Sequence, residues 1–349
     1  VKAVFLDYDT VSNGDLDTSA LSAAVDDLAL CTSDDAKTAE RIRDVEIVLL
    51  NKVELSRELI QGAPKLKLIA VAGTGTNNID AAAARELGVG VCNVRGYCTS
   101  SVVQHVWGLI LSLTQHVSDY ARLVGSGSWN QNELLTVFSH PIRELDGRVF
   151  GVVGWGELGR GGARVAEAFG MRVVIANRRG ESPKPDRVEL QRLLAMSDIV
   201  SLHCPLNDLT RGLIGARELA LMKPDALLIN TARGALVDGH ALAAALRAGR
   251  LGGAGIDVLP QEPPRDDDPL LDPDIPNLIL TPHVAWAARE ARQRCLDERP
   301  ADPVAVEAVA APLALSPWLA SFLSSQPAFL PASWSASFCL LSFDPCPCS

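Results

Sequence analysis

The chain has 349 residues, 48% of them hydrophobic and 21% charged; this length suits two domains, and this balance excludes an intrinsically disordered chain. A formal net charge of −10 argues against a protein built to hold nucleic-acid phosphates, which need a basic face, and equally against docking on an anionic membrane. Neither partner is expected.

The chain opens Val1-Lys2-Ala3-Val4-Phe5-Leu6, too short an apolar run for a signal peptide, and acids follow at once. It reads as a first β-strand, and the protein as cytoplasmic. Further short apolar runs predict strands at residues 3–6, 47–50, 68–71 and 90–92, with helical patterns between them at 19–28, 36–43 and 81–87. A long helical stretch follows over 100–113, then a polar Gly/Ser/Asn segment over 125–132. A second series predicts strands at 149–153, 172–176, 199–203, 226–230, 255–258 and 278–280, with helices at 158–169 and 239–248 among the connections. Alternation of this kind builds parallel sheets covered by helices. The fold class is therefore α/β, with two Rossmann-like or flavodoxin-like doubly wound domains. Cys31, Cys92, Cys98, Cys204 and Cys295 are scattered singly through apolar stretches, which reads as reduced thiols. Cys346-Pro347-Cys348 lacks a second ligand pair, and no metal site is expected. Residues 301–349 carry almost no charge and repeated prolines, and read as a poorly ordered, aberrant tail.

Gly154-Trp155-Gly156-Glu157-Leu158-Gly159 follows a predicted strand and opens a predicted helix, the context in which G-x-G-x-x-G cradles a pyrophosphate on a helix N-terminus. Gly154, Gly156, Glu157, Leu158 and Gly159 are therefore candidate cofactor-binding residues. The next strand ends in Asn177-Arg178-Arg179, where an acid would select NAD by bonding the ribose 2′-hydroxyl. Two guanidinium groups instead suit a 2′-phosphate, so the coenzyme is NAD(P), leaning to NADP(H) or dual use.

Arg233, Glu262 and His283 each follow a predicted strand of the second series, and the carboxyl ends of parallel strands converge. A guanidinium to hold a carboxylate, an imidazole to exchange a proton and a carboxylate to orient that imidazole are what reduction of a 2-keto acid needs.

Asn230-Thr231-Ala232-Arg233-Gly234, Gly255-Ile256-Asp257-Val258 leading to Glu262-Pro263-Pro264, and Thr281-Pro282-His283 resemble the D-isomer-specific 2-hydroxyacid dehydrogenases, over residues 1 to 296. Gly73-Thr74-Gly75-Thr76-Asn77-Asn78-Ile79-Asp80 is similar to that family's substrate loop. Cys92-Asn93-Val94-Arg95-Gly96-Tyr97 and Pro282-His283-Val284-Ala285-Trp286 resemble its glycerate dehydrogenase/hydroxypyruvate reductase branch. The resemblance implies that Arg233 binds substrate, Glu262 tunes the histidine and His283 exchanges the proton. It adds Ala72, Gly73, Thr74 and Trp286 as substrate contacts, and Cys204, Pro205, Thr231, Ala232 and Asp257 beside the cofactor. It implies a substrate domain of 1–98 plus 286–300, an NAD(P)-binding domain of 99–285, a cleft between them and a homodimer. The expected substrate is a small 2-keto/2-hydroxy acid: hydroxypyruvate/D-glycerate first, glyoxylate second.

Two departures stand out. Gly161-Gly162 should weaken its helix, and Glu298-Arg299-Pro300 interrupts the last one, so truncation near residue 300 is expected to change activity little. Two other readings compete: a nucleotide-sensing, corepressor-like binding protein on the same fold, and a haloacid-dehalogenase-type phosphatase built on Asp7-Tyr8-Asp9-Thr10-Val11 with Lys223. His203 and Cys204 fit either the cofactor loop or packing. His105 reads as a core or interface residue and Asp266-Asp267-Asp268 as a solvated loop, while His116, His140 and His240 carry no distinguishable signal.

Overall fold

The computed structural model describes residues 1–182 and 184–297; the tail expected at 301–349 lies outside them. The chain divides into two compact units, one of Val1–Cys98 with the segment from Ala287, the other of Thr99–Trp286.

In the first unit, β1 (Lys2–Phe5), β2 (Asp27–Leu30), β3 (Ile47–Leu50), β4 (Leu68–Val71) and β5 (Gly90–Asn93) form a parallel sheet in the order β2-β1-β3-β4-β5. Strands β3 and β4 are buried along their whole length, as strands of a parallel sheet covered on both faces must be. Val4, Val48 and Ile69 stand side by side in register and pack with Leu6, Ile42 and Ile60. Each fully buried aliphatic side chain contributes about 1.5–3 kcal/mol. The helix expected over 19–28 is a correction: only Ser19–Ala23 is helical, and Asp27–Leu30 is an exposed edge strand. Its Asp-Leu-Ala-Leu run sits beside only one neighbour, so no strongly apolar pattern marks it.

Asp7, just past β1, is fully buried. Its carboxylate accepts the backbone N–H groups of Asn51, Lys52 and Val53 at 2.9, 2.6 and 3.0 Å. Three donors on a buried carboxylate make it a loop anchor rather than an exposed nucleophile, and Lys223 is committed to Asp198 at 2.9 Å. The phosphatase reading loses both of its residues. The returning helix Arg289–Asp297 docks in this unit through Arg292, whose guanidinium grips both oxygens of Asp15 at 2.8 and 2.6 Å. Arg294 Nε adds a bond to the Tyr97 carbonyl at 2.9 Å.

In the second unit, β6 (Val149–Val153), β7 (Arg172–Ile175), β8 (Ile199–Leu202), β9 (Leu227–Asn230), β10 (Gly253–Ile256) and β11 (Leu278–Leu280) form a parallel sheet in the order β11-β10-β9-β8-β6-β7. A parallel bridge between Ala176 and Val188 extends it past β7. The chain reverses its winding direction at β6, which lies between β7 and β8, so a crevice opens at the carboxyl ends of β6 and β8. Strand β10 starts two residues earlier than expected and ends before Asp257, leaving that aspartate in the loop at the strand's carboxyl end.

Helix Thr99–Gln115 buries Val102, Val106, Leu109, Ile110 and Leu113, a stripe of period near 3.6. Trp107 stacks on both Phe150 and Phe169, with ring centroids 5.6 and 5.0 Å away. A further helix, Val117–Gly125, precedes the polar segment. Beyond it Leu135 and Phe138 are 87% and 86% exposed. Among the described residues Cys31, Cys92, Cys98, Cys204 and Cys295 form no disulfide, and no helix is long and apolar enough to cross a membrane.

Candidate active site

Strand β6 runs directly into Gly154, whose φ of +107° lies where only glycine is comfortable. A Cβ there would stand 2.5 Å from the Cys204 amide nitrogen, and one on Gly159 would stand 2.1 Å from the Gly154 carbonyl oxygen. Both glycines are thus required by the turn itself. Gly156 differs: nothing lies within 4 Å of where its Cβ would be, and no side chain caps the helix Glu157–Ala168 that it begins. Uncapped amides beside open space, at the start of a twelve-residue helix, fit an anionic diphosphate that must approach the backbone closely. Glu157 is held by Thr99 Oγ1 at 2.5 Å, and Leu158 is half-buried.

Of the two glycines expected to weaken this helix, Gly161 also has a packing role. A Cβ on Gly161 would meet Val103 Cγ2 at 2.6 Å, and the Gly162 carbonyl accepts Trp107 Nε1–H at 3.2 Å. The small size of Gly161 lets helix Thr99–Gln115 lie close against helix Glu157–Ala168.

After β7, Asn177 is fixed by Glu189 Oε1 at 3.1 Å and by the Lys184 amide at 3.1 Å. Arg178 pairs with Glu181 at 2.9 Å, and Arg179 donates to the Leu209 carbonyl at 3.0 Å. Both arginines are exposed. After β8, burial pushes the His203 imidazole down to about 4 and the Cys204 thiol up to about 11. His203 Nε2 meets Ser201 Oγ at 2.9 Å. A neutral imidazole beside a protonated thiol is no nucleophile. The backbone of these two residues presses on Gly154, and the exposed Pro205 continues the loop.

The three candidate catalytic residues leave the carboxyl ends of neighbouring strands β9, β10 and β11. Buried Asn230 closes the first loop: its Oδ1 accepts the Ala232 N–H at 3.1 Å, and its Nδ2 donates to the Arg233 carbonyl at 2.9 Å. Arg233 makes no ion pair among the described residues; its Nη1 donates only to the Ala232 carbonyl, at 2.7 Å. Thr231 is buried. The Arg233-Gly234 turn rests directly on Leu259-Pro260, so closely that a Cβ on Gly234 would stand 1.9 Å from the Leu259 carbonyl carbon. That segment leads into Glu262, whose Oε1 accepts the Leu259 N–H at 2.9 Å and whose Oε2 lies 2.5 Å from His283 Nδ1. A contact this short is a charge-assisted hydrogen bond, and it fixes the ring orientation.

His283 itself adopts φ +54°, a left-handed conformation that costs roughly 1–2 kcal/mol for a residue with a Cβ. Asp257 supplies the restraint that holds it. The Asp257 carbonyl accepts the His283 N–H at 2.8 Å. Its fully buried carboxylate accepts the Thr281 hydroxyl at 2.6 Å and the Val284 and Ala285 amides at 2.9 Å each. His105, from helix Thr99–Gln115, reaches Thr281 Oγ1 at 3.0 Å. Sequence reasoning assigned Asp257 to the cofactor and His105 to packing, and it did not assign Asn230 a role. The only hint for Asn230 was its place at a strand end two positions before Ala232, where its side chain can mimic a turn.

The substrate-loop candidates belong to the first unit, just past β4. The Ala72 and Gly73 amides are used locally, by the Leu50 and Val71 carbonyls at 2.7 and 2.8 Å. The Thr74 hydroxyl donates to the Val94 carbonyl at 2.9 Å, and Asn93 Nδ2 to the Thr74 carbonyl at 2.6 Å. Trp286 follows the His283 loop and is half-buried.

Residues 107–285 match the family model described as D-isomer specific 2-hydroxyacid dehydrogenase, NAD binding domain. The chain belongs to this family. It is 45% identical to a glycerate dehydrogenase of Methylorubrum extorquens over 259 residues, covering 74% of this chain and 82% of the relative. It is 35% identical to a hydroxypyruvate reductase of Blautia hydrogenotrophica over 304 residues, covering 85% and 94%. The solved D-lactate dehydrogenase of Aquifex aeolicus, complexed with NAD and lactic acid, superposes with a TM-score of 0.72 at 26% identity, covering 85% of this chain and 92% of that one. This dehydrogenase is therefore an oxidoreductase acting on the CH–OH group of a hydroxyacid with a nicotinamide coenzyme.

Proposed function

We propose that the chain interconverts hydroxypyruvate and D-glycerate, with glyoxylate as a second substrate. The observation that carries this reading is the 2.5 Å contact of Glu262 with His283 Nδ1 on a loop packed against the turn of an arginine that makes no ion pair among the described residues. Arg233 binds the substrate carboxylate and polarises the keto oxygen. Glu262 holds Nδ1, which leaves Nε2 of His283 to exchange a proton with that oxygen. The coenzyme, when bound, supplies the hydride to the carbonyl carbon or accepts it back. Gly154, Gly156 and Gly159 form its diphosphate turn, while Cys204, Pro205, Thr231 and Ala232 border it. Asp257 acts from below, through the loop that carries His283.

The absence of an acid at Asn177 and the exposed pair Arg178 and Arg179 support preference for NADP(H), or use of both coenzymes. Residues 1–98 with 286–300 form the substrate domain and 99–285 the coenzyme domain, with Ala72, Gly73, Thr74 and Trp286 contributing to substrate binding. The Ala72 and Gly73 amides are spent on carbonyls, which leaves the Thr74 amide as the donor this loop offers. Leu134, Leu135, Phe138 and Ile142 are exposed, and exposed apolar side chains of this kind support a homodimer that buries them. A cytoplasmic location agrees with cysteines that form no disulfide among the described residues.

The test is a coenzyme-oxidation assay over a panel of 2-keto acids with both NADH and NADPH, repeated on His283→Gln. Hydroxypyruvate turns over fastest, and His283→Gln loses turnover while coenzyme affinity persists. Turnover of bulky 2-keto acids in preference to hydroxypyruvate, or full activity of His283→Gln, would overturn the assignment.

A further inference from the structure

At one end of the second unit, two imidazoles and a carboxylate converge with no part in the chemistry above. His116 sits at the junction of helices Thr99–Gln115 and Val117–Gly125, with φ +51°. Its Nδ1 lies 2.9 Å from Asp119 Oδ2, one helical turn on. His140 arrives from the far end of the polar segment and stacks on His116, with ring centroids 5.2 Å apart and planes at 20°. A ligating atom from each of the three residues lies within 4.8 Å of those of the other two.

The surroundings preorganise the cluster. Tyr120 donates its hydroxyl proton to the His140 carbonyl at 2.8 Å and accepts the His140 N–H at 3.2 Å, across 20 positions of sequence. The Tyr120 ring also meets the His140 ring edge-on at 5.4 Å. Backbone and ring of His140 are thus fixed, while neither of its ring nitrogens has a hydrogen bond among the described residues. Arg122 takes Asp119 Oδ1 at 2.6 Å, which directs Oδ2 towards the imidazoles. Such a partner on a ligating carboxylate is the usual means of holding it in place.

We propose that His116, Asp119 and His140 bind a divalent transition metal, zinc above all, and that the metal clips the polar segment after helix Val117–Gly125 to the junction of the two helices. Two imidazoles and one carboxylate oxygen are borderline ligands that suit zinc rather than calcium or magnesium. The ion takes the place of the hydrogen bond between His116 Nδ1 and Asp119 Oδ2, whose proton leaves to solvent or to the other ring nitrogen. Ligands of a tetrahedral zinc stand about 3.3 Å apart, from bonds of roughly 2.0 Å, so this pair opens by a few tenths of an ångström. Three protein ligands leave a position for water. The nearby Arg122 charge opposes the cation and sets this site below a buried structural zinc in affinity. Closing a loop between Asp119 and His140 restrains the segment that carries Leu134, Leu135 and Phe138.

The test titrates zinc, then cobalt(II), into the chelator-treated full chain. One equivalent binds the wild-type protein; His116→Asn and His140→Asn each weaken it about tenfold or more, and Cys346→Ser with Cys348→Ser leaves it unchanged. The cobalt spectrum lacks a thiolate charge-transfer band. Zinc also slows chymotryptic cleavage at Leu134, Leu135 and Phe138 in the wild type and not in His140→Asn. Asparagine tolerates the left-handed backbone at 116, and the His140 substitution spares both backbone bonds to Tyr120, so folding of either variant is checked by circular dichroism. Wild-type zinc affinity in both histidine variants, binding abolished only by the cysteine substitutions, or cleavage indifferent to zinc would overturn the proposal.

Discussion

Replacing Glu262 by Gln keeps the shape of the contact with His283 and removes its charge. A glutamate carboxylate accepts from Leu259 N–H with one oxygen and from His283 Nδ1–H with the other, at 2.9 and 2.5 Å. A glutamine that still accepts the Leu259 N–H with its oxygen turns its NH2 towards Nδ1, so the imidazole loses its charged acceptor and is held in the opposite tautomer. A hydrogen bond to a charged group is worth about 1.5–3 kcal/mol. The two side chains are 26% and 34% exposed, and solvent screening reduces the expected loss to about 1–2 kcal/mol. That corresponds to a fall of roughly 5- to 30-fold in kcat/KM. Steady-state coenzyme oxidation with hydroxypyruvate measures it, and a fluorescence titration of coenzyme binding serves as the control. Because Glu262 touches the imidazole and lies off the glycine turn, coenzyme affinity should stay within about twofold while kcat falls. A variant with kcat/KM close to wild type, or one whose whole defect is in coenzyme affinity, would refute the role given to Glu262.

Gly156→Ala should fold with wild-type stability and lose coenzyme affinity, since its Cβ meets only open space. Gly154→Ala should instead lower the unfolding midpoint, through its positive φ and its collision with Cys204. Arg179→Ala should raise the KM for NADPH about tenfold and leave that for NADH nearly unchanged; equal effects on both coenzymes would contradict 2′-phosphate recognition. His203 is held neutral down to about pH 4, against 6.5 for the exposed imidazole. The unfolded chain therefore binds the extra proton between those values, and stability complete above pH 6.5 declines towards pH 4. His203→Gln should flatten that limb in denaturant titrations at several pH values. The Arg292 guanidinium holds the Asp15 carboxyl well below its usual value of 3.8. The pair stabilises the fold above that pH and the benefit fades as acid protonates the folded form, so the deficit of Asp15→Asn should be largest at neutral pH and close on acidification.

The buried strands were legible because each is a short, unbroken apolar run: residues 47–50 and 68–71 match β3 and β4 to the residue. Strand β2 was not, because an edge strand with three exposed residues out of four carries no burial pattern to read. Strand β10 was placed two residues late because Gly252-Gly253-Ala254-Gly255 looks like a turn. In a sheet those glycines admit Leu109 and Leu113 of the covering helix, which would stand 2.9 and 3.2 Å from a Cβ on Gly255 and Gly253. The same blindness to close approach hid the packing role of Gly161. A glycine's meaning depends on what lies above it, and sequence does not record that neighbour.

Arg233, Glu262 and His283 were legible as residue types at strand ends, and the glycine turn as a motif in context. What sets their spacing was not. The Arg233-Gly234 turn is seated on Leu259-Pro260 by backbone contact, so the distance from guanidinium to carboxylate is governed by main chain that no side-chain pattern reports. Likewise His283 owes its left-handed backbone to Asp257, whose carboxylate spends itself on Thr281, Val284 and Ala285. An aspartate four positions before a proline-bounded loop could as well have faced solvent. Its direction follows from the strand ending at Ile256, one residue before it, which turns Asp257 inward under the loop from the neighbouring strand β11. Asp257→Asn would therefore present donors to donors at a buried point, costing about 1–3 kcal/mol of stability. With it should go the ordering of His283, seen as a drop in kcat larger than any change in KM. An Asp257→Asn enzyme with unaltered unfolding midpoint and kcat would mean that the loop keeps His283 in place unaided.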